Sequence, residues 1–273
     1  MTDERVEPTV SVVIPAKNEA RNLPHVLAGL PDGLHEVILV DGASDDDTVD
    51  VAMKLRPDII VIGQTRKGKG NALACGFAVA TGDFIVMLDA DGSTDPAEIP
   101  HFVGALKGGA DFAKGSRFLP GAGSSDISRF RQYGNYWLNR VVNVLYGTRY
   151  TDLCYGYNAF RRECLEAMDL QAGHGEERQP TEMLWGDGFE VETLINVRIA
   201  KAGLRVVEVP SFEHSRHFGT SNLNAVSDGL RVLRTIHSER KRGYRRSAAA
   251  VDGYEREESA SWSLISTLTE EAS

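Results

Sequence analysis

The sequence predicts an α/β domain built on a mostly parallel sheet with helices on both faces. Two observations carry that expectation. Over the first 115 residues, short β-branched runs alternate with helical patterns, and clusters of polar residues stand directly after the runs. Such alternation marks βαβ units, and in sheets of this kind ligands sit beyond the carboxyl ends of the strands.

The expected strands cover residues 10–14, 36–41, 59–62, 84–89 and 111–115. Two helix starts are marked by capping chemistry: Ser44 stands three residues before Asp47, and Asp95-Pro96-Ala97-Glu98 is a capping box with proline at the first helical position. Residues 130–146 form an amphipathic pattern, with Tyr133, Trp137, Leu138, Val141, Val144 and Leu145 at helical spacing. Residues 171–186 are polar, contain glycine and lack periodicity, which predicts a long loop of the kind that often serves as a lid. A helix over 188–202, closed by Gly203, a strand over 205–209 and a last helix over 222–239 complete the order. The pattern supports one domain over residues 1–242, followed by a tail over 243–273 rich in charge, serine and alanine and expected to be mobile.

Composition narrows the function. The 273 residues are 42% hydrophobic and 25% charged, ordinary for a soluble globular chain. A net charge of −9 argues against a nucleic-acid partner, which calls for a basic excess. Cys75, Cys154 and Cys164 show no CxxC spacing, so neither a disulfide framework nor a zinc knuckle is expected, and a reducing cytoplasm fits. No window reaches the roughly 20 apolar residues of a membrane span, and MTDERVEPT is too acidic for a secretory signal, so membrane contact is expected to be peripheral. The seven histidines form neither HxxxH nor HExxH, and His214 and His217 suit phosphate contact or solvent.

The chemistry concentrates where strands end. The fourth strand runs into Asp89-Ala90-Asp91-Gly92-Ser93, placing two carboxylates one residue apart. That spacing suits a hard divalent ion, Mg²⁺ or Mn²⁺, which takes one or two carboxylates and completes its shell with water and phosphate oxygens; read alone it is equally an acidic turn before a capped helix. The first strand ends in Pro15-Ala16-Lys17-Asn18-Glu19 and the second in Asp41-Gly42, so three strands carry polar groups to one edge. After the third strand, Lys67-Gly68-Lys69-Gly70 opens a helix, and its glycines are expected to let backbone N–H groups approach an anion. It is not the Walker pattern GxxxxGK[ST], which disfavours a P-loop ATPase.

In order, VSVVIPAKNEARNLP, EVILVDGASDDDT, KGKGNALACGFAVATGDFIVMLDADGSTDP, GSRF, RQYGN, TDLCYGYNAFRR, GFEVE and EVPSFEHSRHFGTSNL span roughly residues 10 to 240. This set resembles the family 2 glycosyltransferases of GT-A fold, and within them the dolichyl- or polyprenyl-phosphate sugar transferases. The resemblance implies a Rossmann-like, mostly parallel mixed sheet, with a nucleotide-sugar-binding half over 10–115 and acceptor-side helices over 116–242. It implies donor binding by Pro15, Ala16, Asn18, Glu19, Asp41, Lys69, Gly70, Asp89, Ala90 and Asp91, with a metal on Asp89 and Asp91. The family's metal site often extends past the second aspartate, where this chain has Gly92-Ser93. Arg117, Arg131, Asp152, Arg216 and Ser221 are implied on the acceptor or phosphate side, and arginine's planar fork suits phosphate.

By the same resemblance the reaction inverts the anomeric centre, the donor is a UDP- or GDP-sugar and the acceptor a polyprenyl phosphate at the cytoplasmic membrane face. A lipid phosphate is already anionic, whereas a hydroxyl acceptor needs a base. Asp187 is the candidate base, and with Glu190 it also has the spacing of a capping box. The 130–146 helix either lies on a membrane, with Arg129, Arg131 and Arg140 at headgroups, or packs on the domain or a second copy in a homodimer. The basic cluster from Arg240 to Arg246 either meets anionic lipid or complements a helix end. Two other classes stay open: a nucleotidyltransferase, which would release pyrophosphate, and a nucleotide-sugar-binding module without turnover.

Overall fold

The computed structural model describes residues 7–173, 183–219 and 225–242. The strands are β1 (Val10–Ala16), β2 (Glu36–Asp41), β3 (Ile60–Gly63), β4 (Phe84–Met87), β5 (Phe112–Ser116), β6 (Gly123–Ser124), β7 (Asn158–Arg161), β8 (Val206–Pro210) and β9 (Phe212–Glu213). The helices are α1 (Leu23–Ala28), α2 (Thr48–Leu55), α3 (Lys69–Val79), α4 (Ile99–Lys107), α5 (Arg129–Tyr146), α6 (Cys164–Met168), α7 (Val191–Lys201) and α8 (Ala225–Lys241).

Seven strands form one sheet in the order β3-β2-β1-β4-β7-β5-β8, parallel except for β7, which runs antiparallel between β4 and β5. β6 and β9 pair separately. The chain order reverses around β1, flanked by β2 and β4, and the crevice beyond their carboxyl ends is where such sheets receive ligands.

Strand alternation divides the core between the two faces. Val12 and Ile14 of β1 pack in a cluster with Leu23, Val26, Phe102 and Leu106 from α1 and α4. Val13 packs with Leu73, Phe77, Ile195 and Ile199 from α3 and α7. α3 lies so close that a Cβ on Gly76 would stand 2.3 Å from Val13 Cγ1, and only glycine permits that approach.

Three local expectations are corrected. Ser44 does not cap α2, because its hydroxyl accepts from Asn18 N–H at 2.9 Å, and the carboxylate of Asp46 accepts from Thr48 N–H instead. Asp95 does accept from Ala97 N–H at 2.9 Å, but Glu98 turns away to the β8–β9 corner and accepts from Phe212 N–H at 3.0 Å. The third concerns α5. The side chains it buries are Asn135, Asn139 and Val142, while Phe130 (68% exposed), Tyr133 (64%), Trp137 (52%) and Val144 (79%) face outward. Asn135, Asn139 and Asn143 stand four apart and donate to the Asp152 carboxylate, the Thr151 carbonyl and the Tyr150 carbonyl at 3.0, 2.8 and 2.9 Å. The asparagine row, satisfying an otherwise unpaired loop backbone, decides which face turns inward. Packing of the aromatic stripe on the domain is thus not observed.

Of the expected 171–186 loop, residues 174–182 lie outside the described residues, as does the expected tail over 243–273.

β7 is an interior strand of the sheet. Phe160 is fully buried, edge-on to Phe77 at 5.2 Å and stacked on Phe112 at 5.8 Å. Phe160→Ala is expected to cost about 3–5 kcal/mol, measured as a lower urea midpoint with an unchanged slope.

Candidate active site

A cavity of about 740 Å³ opens at the carboxyl ends of β1, β2 and β4 and continues between α5 and α8. Pro15, Ala16, Lys17, Gly42 and Gln64 line one end, Lys69, Asp89, Ala90, Asp91 and Arg216 the middle, and Phe130, Leu138 and Val232 the other.

Each aspartate of the Asp89-Ala90-Asp91 turn meets a cation. Lys69 Nζ lies 2.6 Å from Asp89 Oδ1 and 2.8 Å from Glu192 Oε1. Arg216 Nη2 lies 2.6 Å from Asp91 Oδ2. Burial works against the Lys69 charge, but Asp89 and Glu192 outweigh it and raise its pKa. Burial raises the pKa of Glu192 despite Lys69, and that of Glu19, which feels Asp91 and Asp89 and is partly offset by the Asn22 hydrogen bond and Arg216.

The segment carrying Arg216 is laid across this end of the cavity. His214 N–H donates to the Ser93 carbonyl at 2.8 Å, and Asn22 exchanges hydrogen bonds with the Phe218 backbone at 3.0 and 3.2 Å. The His217 ring stacks on His25 at 4.4 Å, and the Arg21 guanidinium sits 4.0 Å over Phe218.

Asp89 and Asp91 suit a hard divalent ion: both are carboxylates on the cavity wall, and Ser93 N–H steadies the Asp91 carboxylate at 2.9 Å. Among the described residues no three His, Cys, Asp or Glu side chains converge into a complete metal cage. An ion held here would therefore take its remaining ligands from water and from substrate.

Arg117 is more committed than its expected phosphate role implies. Its side chain is 3% exposed and forks onto Asp152 at 2.7 and 2.9 Å and onto Glu213 at 3.0 Å. Burial disfavours its charge, yet the two carboxylates raise its pKa. Burial likewise opposes the charge of Asp152, but Arg117, with help from Lys114, holds that carboxyl below its ordinary value. Arg131 is half-exposed at the cavity and pairs with Asp126 at 3.2 Å.

Several expected site residues serve the frame rather than the wall. Asn18, held at φ 59°, bonds to the β2–α2 loop, its Oδ1 accepting from Asp45 N–H at 2.8 Å. Asp41 accepts from Ser44 N–H. The Gly68 and Gly70 backbones approach protein, not an anion: a Cβ on Gly70 would stand 1.8 Å from the Gly186 carbonyl, and Gly70 N–H donates to the Asp187 carbonyl at 2.7 Å. Asp187 does not line the cavity; its carboxylate holds the Arg66 guanidinium at 2.8 and 2.9 Å and accepts from Leu184 N–H at 2.8 Å. Asp187 does not cap α7 either, since Glu190 turns back to the N–H groups of Gly186 and Gly188. Ser221 lies outside the described residues.

Glu192 and Glu213 went unrecognised in the sequence. Glu192 sits in the GFEVE fragment and Glu213 in EVPSFEHSR, both already aligned with the family pattern, but helix and strand contexts gave no sign of their partners.

The family model described as "Glycosyl transferase family 2" matches residues 11–168. An undecaprenyl-phosphate mannosyltransferase of Micrococcus luteus is 33% identical over 233 residues, covering 82% of this chain and 91% of the relative. A polyprenol monophosphomannose synthase of Mycolicibacterium smegmatis is 33% identical over 223 residues, covering 78% and 80%. Among solved structures, glucosyl-3-phosphoglycerate synthase from Mycobacterium tuberculosis, in complex with Mn²⁺, UDP-glucose and phosphoglyceric acid, superposes with a TM-score of 0.65 at 22% identity, covering 87% of this chain and 81% of that one.

Because Asp152 is buried against Arg117, Asp152→Asn is expected to destabilise the fold by about 3–5 kcal/mol at neutral pH, the cost of breaking a buried pair from one side. The depressed folded-state pKa means the carboxylate stabilises the fold above its unfolded value and loses that contribution as pH falls through the folded one. Urea denaturation of both proteins from pH 7 to pH 3 should therefore show the gap closing below about pH 4.

Proposed function

The chain belongs to glycosyl transferase family 2, and from that membership we propose that it catalyses metal-dependent, inverting transfer of a hexose from a UDP- or GDP-sugar to a polyprenyl phosphate. The observation carrying this reading is the chemical gradient of the cavity. It passes from the β1 and β2 ends, through carboxylates and cations, to a slot whose apolar side is formed by Ile127, Phe130, Leu138 and Val232, with Arg131 and Arg231 beside them.

In this reading the base and ribose lie toward Lys17, Gly42 and Gln64, and Asp89 and Asp91 hold the ion. The ion supplies positive charge against the departing nucleoside diphosphate. Lys69 and Arg216 face the same diphosphate, and Arg131 orients the acceptor phosphate, backed by Arg117 and Asp152. A phosphate acceptor attacks as an anion, so no carboxylate base is required. That agrees with Asp187 being held by Arg66. The apolar slot receives the first isoprene units.

The outer face of α5 supports delivery from a bilayer. Phe130, Tyr133, Tyr136, Trp137 and Val144 are exposed, and the helix carries Arg129, Arg131 and Arg140 without an acid. An apolar, basic face of this kind binds an anionic lipid interface. Leu230 and Leu233 of neighbouring α8 extend it. No helix among the described residues is long and apolar enough to cross a membrane. The enzyme would thus work as a peripheral protein at the cytoplasmic face.

The deciding assay is nucleoside diphosphate release from UDP- and GDP-sugars with Mg²⁺ or Mn²⁺, with and without a polyprenyl phosphate. Release that needs the metal and rises with the lipid phosphate is expected, and Asp91→Ala should lower kcat about 10²–10³-fold, the scale of losing one electrostatic stabiliser. Metal-dependent release indifferent to the lipid phosphate would move the acceptor to a hydroxyl. Separately, the double variant Trp137→Ser/Val144→Ser should reduce co-sedimentation with anionic vesicles while leaving turnover of a short, water-soluble polyprenyl phosphate near wild type.

A further inference from the structure

Glu192 stands in the cavity wall without a role in the reading above. It projects from the first turn of α7, is buried, and holds the same Lys69 ammonium that Asp89 holds. The floor beneath the three groups is Gly156, where a Cβ would lie 3.0 Å from Lys69 Nζ, 3.2 Å from Glu192 Oε1 and 3.6 Å from Asp89 Oδ2. The trio thus occupies space that any other residue at 156 would invade.

Two demands meet at Asp89. As a metal ligand it must turn carboxylate oxygen to a dication, while its Oδ1 now accepts from Lys69 at 2.6 Å. An ammonium and a dication on one carboxylate repel each other, so the lysine has to yield. An ammonium carries three N–H donors, and a second carboxylate can keep one of them when the first is withdrawn.

We propose that Glu192 is a positioning residue for the leaving group: when the ion takes Asp89, Glu192 retains Lys69 Nζ at the cavity wall and leaves its other donors aimed at the diphosphate. The proposal rests on Asp89 serving as metal ligand. Without Glu192, Lys69 stays on Asp89, opposes the ion and withholds its charge from the phosphates. Glu192 is thus a carboxylate that favours binding of an anion, through the cation it holds.

That inversion gives the test its sign. The affinity of UDP and of GDP, each with Mn²⁺, is measured by titration calorimetry for wild type, Glu192→Gln, Lys69→Met and the double variant, with thermal melts confirming folding. With Lys69 present, Glu192→Gln should weaken nucleoside diphosphate binding about tenfold, the scale of one hydrogen bond to a charged group. In the Lys69→Met background the same change should tighten binding, because Glu192 then only repels the anion. Tightening in both backgrounds would show that Glu192 acts as a bare negative charge; equal weakening in both would show a structural role; either overturns the proposal. Should Glu192→Gln fail to fold, Glu192→Asp replaces it, weakening binding beside Lys69 and leaving it unchanged beside Met. If wild type binds neither nucleotide with Mn²⁺, the donor reading itself falls, and this role with it.

Discussion

The architecture of the domain beyond β5 depends on one buried guanidinium. Arg117 follows β5 and is clamped by Asp152, from the segment between α5 and β7, and by Glu213 of β9. Removing either carboxylate would leave some of the buried guanidinium's N–H donors without a partner, so the three segments stabilise one another. The fork geometry also fixes their register, because the two parallel N–H bonds to Asp152 admit one orientation. Beyond Glu213 the chain runs directly into the segment that carries Arg216 onto Asp91. The Asp91 end of the cavity and the end between α5 and α8 thus share a frame.

The same frame orients α5. Asp152 accepts from Asn135 as well as from Arg117, and the adjoining carbonyls of Thr151 and Tyr150 take Asn139 and Asn143. Asparagine is an unusual residue to bury, and here each one is matched to a backbone or carboxylate group that has no strand or helix partner. Once that row faces inward, the aromatic side chains must face outward, a hundred degrees or more around the helix. Their exposure is a consequence of satisfying the loop.

The first half of the domain was legible in the sequence because β1 to β4 are short, largely β-branched runs with their own punctuation, and the polar residues after them fall where the sheet places ligands. β7 was not legible: Asn158–Arg161 is four residues long, and it lies antiparallel between β4 and β5 through pairings such as Lys114 with Asn158 and Phe84 with Arg161, far apart in the chain. The α5 helix was found at nearly its true bounds, but periodicity left open whether its stripe meets the domain, a second copy or a membrane, because it weighs apolar side chains and not the hydrogen-bonding needs of a loop. The fragments carrying Lys69, Asp89 and Asp91 led to the cavity. Those carrying Gly70 and Asp187 led instead to a backbone contact between α3 and the turn before α7, since a glycine's close approach does not say whether the neighbour is an anion or a carbonyl.

Charge accounting links these parts. Glu19, Asp89, Asp91 and Glu192 gather around Lys69 and Arg216, in a cavity whose wall also carries Lys17, Lys67, Arg117, Arg131 and Arg231. A nucleoside diphosphate approaching alone would meet cations already held by carboxylates, and a divalent ion approaching alone would meet carboxylates already held by cations. Under the proposed function the two would relieve each other, since an ion held by the carboxylates would free the cations for the phosphates. Under the proposed function, metal and donor therefore raise each other's affinity by the same factor, as linkage requires. On that reading, a carboxylate retained beside the lysine would let the exchange end with the lysine's charge on the leaving group.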